Sequence, residues 1–66
     1  MSGINKDFKH ERIELGLSQQ DAAVLLNVSR VTYIRWETKP DTMPIGRYEQ
    51  LLSEFARLRE LKENED

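Results

Sequence analysis

A chain of 66 residues with one histidine, no cysteine and a formal net charge of −2 is a single domain with little core to spare, so it must pack efficiently or gain stability by oligomerising. Without cysteine there is neither a disulfide staple nor a thiolate zinc site, and the scattered carboxylates lack the glycine-bounded loop that gathers oxygen ligands round calcium. No apolar run approaches the roughly 20 residues of a membrane span, and "MSGINKDFKHER" has no signal-peptide core, so a soluble, cytoplasmic protein without metal or cofactor is expected.

The first helix is predicted from about Lys6 to Leu15, with Asn5 as N-cap, Asp7 in the first turn and Phe8, Arg12 and Leu15 on one face. Gly16 ends it. Ser18 caps a second helix, Gln19 to Leu26, with Asp21 as a short-armed capping box and Ala22, Ala23, Leu25 and Leu26 facing inward. Asn27 suits the left-handed conformation that closes a helix and turns the chain sharply. Ser29 then caps a third helix, Arg30 to Thr38. Helix, short turn and helix over about 18–38 make a helix-turn-helix. Small Ala22 and Ala23 let its two helices approach closely.

Advancing 100° per residue along the third helix places Arg30, Val31, Ile34, Arg35 and Thr38 within an arc of about 140°. Thr32, Tyr33, Trp36 and Glu37 occupy the other side, so the aromatics face in. After it, "TKPDTMP" is read as a loop, with Pro40 excluding further helix and Pro44 tolerated in the first turn of the next one. A long last helix follows over about 44–63, carrying Tyr48, Leu51, Leu52, Phe55, Leu58 and Leu61 at spacings of three and four. Leu58 and Leu61 extend beyond what three short helices cover and are candidates for burial against a second subunit.

Charge is uneven along this plan. Residues 1–47 carry seven Lys or Arg against six Asp or Glu, whereas residues 48–66 carry three against six. A phosphate-facing surface must therefore come from the first two-thirds, with the acidic end "RELKENED" turned away as a solvated helix end. Two arginines interleaved with valine and isoleucine suit the DNA major groove, where guanine offers paired acceptors and thymine a methyl group. From the helix alone, two solvated arginines beside aliphatics that pack on another helix or a dimer partner fit equally well. His10, Glu11 and Glu14 have no nucleophile, oxyanion donor or pocket in view, so catalysis is not expected.

The run "RIELGLSQQDAAVLLNVSRVTYIRWE", Arg12 to Glu37, resembles the Cro and phage-repressor (XRE-like) helix-turn-helix family. The likeness rests on Arg12, Leu15, Gly16, Leu17, Ser18, Gln19, Ala23, Leu26, Val28, Ser29, Arg30, Arg35 and Glu37. The run departs from the family pattern at Asn27, where glycine is usual, and at Tyr33 and Trp36, where aliphatics are commoner. The resemblance implies an all-α, lambda-repressor-like domain of four helices, or of five as is usual in the family. It implies that Arg30, Val31, Ile34 and Arg35 read bases, and that Gln19, Ser29, Thr38 and Lys39 hold phosphates. Arg12 and Glu37 match a structural salt bridge, and Met43, Pro44 and Ile45 a corner near the dimer axis. Double-stranded operator DNA and a second copy of the chain are the implied partners, and no small-molecule ligand is expected. A Cro-type repressor from a phage or mobile element is the first reading. A protein-binding helix-turn-helix of antitoxin-like or anti-regulator kind is the second.

Overall fold

A computed structural model describes residues 8–63. The elements in order are α1 (Phe8–Glu14), α2 (Gln19–Leu26), α3 (Arg30–Thr38) and α4 (Ile45–Glu63), with one 3-10 turn, Pro40–Thr42, between α3 and α4. Among the described residues there is no strand. The N-cap expected at Asn5, and the first-turn residues Lys6 and Asp7, lie outside the described residues.

Local chemistry accounts for the helix boundaries. At the end of α1, Gly16 takes φ +76°; its N–H donates to the Ile13 carbonyl at 3.0 Å and the Leu17 N–H to the Arg12 carbonyl at 3.1 Å. These two bonds close the helix end and send the chain off sideways. Ser18 Oγ accepts from the Asp21 N–H at 3.0 Å while the Asp21 carboxylate accepts from the Ser18 N–H at 2.9 Å, a reciprocal capping box. Asn27 takes the left-handed conformation, φ 57°, at modest cost because its short polar side chain tolerates it.

The core is made by Phe8, Ala22, Ala23, Leu26, Tyr33, Trp36, Met43, Leu51 and Phe55, with Leu15, Leu17, Leu25, Val28 and Tyr48 packed against it. Ala22 and Ala23 have no exposed surface, and α2 packs on both α3 and α4. Phe8 meets Tyr33 and Tyr48 edge-on, each with ring centroids 6.2 Å apart. Along α4, Leu51 and Phe55 are buried, Leu58 is half-buried and Leu61 is exposed.

Two expectations are corrected. Pro40 does not simply exclude helix: it opens the 3-10 turn, where its missing N–H is not needed, and its carbonyl accepts the Met43 N–H at 3.1 Å. That turn swings Met43 inward, leaving it 8% exposed in the core. Met43 therefore holds the monomer together and offers no side chain to a dimer surface. Pro44 precedes α4, and its carbonyl accepts the Tyr48 N–H at 3.0 Å.

Candidate nucleic-acid interface

The α3 helix presents two unlike faces. Tyr33 and Trp36 are buried, while Arg30, Val31, Arg35 and Thr38 are exposed and Ile34 is half-buried between them. Val31 keeps 67% of its surface open to solvent. Its start is fixed by Ser29, whose Oγ accepts from the Thr32 N–H at 3.1 Å and donates to Thr32 Oγ1 at 2.9 Å. At the other end Thr38 Oγ1 donates to the Ile34 carbonyl at 3.0 Å. Both hydroxyls thus spend their single donor inside the protein, so a phosphate would have to turn them. Lys39 is exposed just beyond. A concavity of about 450 Å³ lined by Arg12, Ser18, Gln19, Gln20 and Arg30 links the start of α2 to the start of α3.

Behind this surface lies a buried polar network. Arg12 Nε donates to Glu37 Oε2 at 2.7 Å and Nη2 to Glu37 Oε1 at 3.3 Å, while Nη1 donates to the Leu17 carbonyl at 2.7 Å. The side chains of the pair are 9% and 3% exposed. Gln19 Nε2 donates to Glu37 Oε1 at 2.9 Å, which leaves the amide one further N–H for a ligand. Sequence reading placed Gln19 toward phosphate and missed this bond, which joins residues 18 positions apart. The Tyr33 hydroxyl is buried close to the pair but meets no hydrogen-bond partner of acceptable geometry. Burial above all, with Glu37 beside it, pushes the phenol far above its ordinary range, so it stays neutral.

Burial opposes ionisation of Glu37, but the hydrogen bonds from the Arg12 guanidinium and the Gln19 amide outweigh it and hold the carboxyl below its usual value. The hydrogen bond to Glu37 likewise raises Arg12 against desolvation. A carboxyl depressed by folding contributes stability that is complete above its unfolded value of about 4.3 and disappears as pH falls through the lower folded value. Asp21 acts in the same direction, lowered by the Ser18 backbone N–H and then by the Ser18 hydroxyl. Thermal melts are thus expected to lose stability through these groups below about pH 4. A melting temperature unchanged from pH 6 to pH 3 would contradict the network.

The helix-turn-helix family model matches residues 8–53, covering α1 to α3, the 3-10 turn and the first half of α4. The chain belongs to the Cro and phage-repressor (XRE) helix-turn-helix family. It is thus a DNA-binding regulator, from a family that is generally non-enzymatic. No curated protein and no solved structure matches the chain. Among the described residues no group of acidic, histidine or cysteine side chains is placed to hold a metal ion, and no helix is long and apolar enough to cross a membrane. His10 and Glu14 form an exposed pair at 3.1 Å on α1, and Glu11 pairs with Arg59 across to α4. Both contacts lie on the helix surface, away from α3.

Proposed function

We propose that the protein is a Cro-type transcriptional repressor that occupies a near-palindromic operator as a dimer, each copy laying α3 in the major groove. The observation that carries this reading is the division of α3. Its aromatic face is consumed by the core, whereas Arg30, Val31 and Arg35 stay exposed beside Ile34, the mixture of guanidinium and aliphatic groups that reads guanine and thymine edges. Lys39 follows at the end of the same helix as a phosphate ligand, with Gln19 offering its remaining N–H.

One recognition helix reads only a few base pairs, so a second copy related by a dyad is needed to single out an operator. Two surfaces serve that pairing. One is the exposed corner of Pro44 and Ile45, and the other the half-buried Leu58 with the exposed Leu61. Each offers only two apolar side chains, well short of the roughly 800 Å² per partner of a stable complex. Pairing is accordingly weak off DNA and completed on the operator, which makes occupancy steep in protein concentration.

Selection from random-sequence DNA followed by gel shift tests the reading. Enrichment of a near-palindrome with half-sites about one helical turn apart is the expected result; no enrichment at low salt favours the protein-binding alternative. With the operator in hand, Arg30→Ala or Arg35→Ala is expected to cost about 1–3 kcal/mol and to relax preference at one position in each half-site. Lys39→Ala should weaken all sequences alike. Binding curves on single-position operator variants separate the two patterns, and a uniform loss for Arg30→Ala would make it a phosphate ligand.

A further inference from the structure

The turn between α2 and α3 leaves part of its own hydrogen bonding undone. The Asn27 N–H donates to the Val24 carbonyl and the Val28 N–H to the Ala23 carbonyl, each at 3.0 Å. Those bonds satisfy two of the four carbonyls at the end of α2 and leave those of Leu25 and Leu26. Arg47 Nη1 donates to the Leu26 carbonyl at 3.1 Å and to Gln50 Oε1 at 3.1 Å. A cation in the first turn of a helix is poorly placed for that helix's own dipole. Arg47 sits in the first turn of α4 and is half-buried, but its guanidinium lies at the negative end of α2, where it is favoured. Gln50, three residues on, steadies it there. The side chain is a strut from α4 to the turn between α2 and α3.

Both candidate pairing surfaces are carried by α4 or the residue before it. The angle between α4 and α3 therefore sets how far apart, and how rotated, two recognition helices stand in a dimer. We propose that Arg47 is a positioning residue for operator recognition: by fixing α4 against the α2–α3 turn it sets the half-site spacing that the dimer accepts. This rests on the dimeric reading above, and it holds whichever of the two surfaces forms the interface.

The test compares the parent protein with Arg47→Met, which keeps the aliphatic stem but removes the donors, and with Arg47→Lys, which restores one charge and its donors. Each is titrated on a hairpin holding one half-site, on the selected operator, and on operators with one base pair added or removed between half-sites. Half-site affinity is expected to be unchanged in Arg47→Met. Affinity for the selected operator is expected to fall about tenfold, or 1.4 kcal/mol, with much of the discrimination between spacings lost, and Arg47→Lys is expected to recover part of both. A folded Arg47→Met that keeps the parent's spacing discrimination overturns the proposal. So does an equal loss on half-site and full site, which would make Arg47 a direct DNA ligand. Should Arg47→Met fail to fold by circular dichroism, Arg47→Gln, which removes the charge and shortens the arm that reaches the Leu26 carbonyl, takes its place; loosened spacing discrimination in that variant supports the proposal and unchanged discrimination overturns it. A parent that selects no palindrome overturns the dimeric reading and this proposal together, whereas a palindrome read with unaltered spacing by the variants overturns this proposal alone.

Discussion

Arg12→Ala is expected to destabilise the fold by about 3–5 kcal/mol, the range for removing one member of a buried ion pair. The loss has two sources. Glu37, with a side chain 3% exposed, would keep its charge in a desolvated site with Gln19 as its remaining hydrogen-bond donor of good geometry. The Leu17 carbonyl would also lose the guanidinium that ties the end of α1 to the loop before α2. Small domains hold toward the lower end of about 5–15 kcal/mol in total, so most of the stability would go. Circular dichroism melts measure the effect. Replacing both partners, as in Arg12→Met with Glu37→Met, should recover much of it, because a well-packed apolar pair avoids the desolvation of two charges. A normal melt with lost DNA affinity in Arg12→Ala would instead make Arg12 a phosphate ligand and refute its structural role.

Phe55→Ala should cost a similar 3–5 kcal/mol, the usual range for deleting a buried aromatic ring. Phe55 is 2% exposed and is the last fully buried residue along α4. Beyond it the helix is held to α1 by the exposed ion pair of Arg59 with Glu11, a contact worth under about 1 kcal/mol. Leu61→Ala, by contrast, should change monomer stability by less than about 0.5 kcal/mol, because the side chain is 55% exposed. Chemical denaturation at low protein concentration separates the two. If Leu61→Ala proved as damaging as Phe55→Ala, the end of α4 would be packed against a partner even there.

Much of this architecture was legible because it is written locally. Ser18 with Asp21, Gly16, Asn27 and Ser29 each fix a helix end through bonds to neighbours three to five positions away, and α2 begins and ends, and α3 begins, where those residues predict. The two faces of α3 follow from its period, and the burial of Tyr33 and Trp36 agrees with it. What escaped notice depends on contacts between distant segments. No local pattern announces that Gln19 will meet Glu37 or that Met43 will turn into the core. Arg47 did leave a trace, since a cation at the start of a helix opposes the dipole, but its acceptor, the Leu26 carbonyl, belongs to another helix 21 residues away.

The separation of duties along α3 has an evolutionary consequence. Tyr33 and Trp36 carry the packing while Arg30, Val31 and Arg35 point to solvent, so changing the outward residues disturbs little of what keeps the chain folded. With those outward residues in the proposed base-reading role, address and scaffold are inherited almost independently. A lineage of such proteins can drift to new target sequences through single exposed substitutions without crossing an unstable intermediate, and an engineer can graft a different reading face onto the same core.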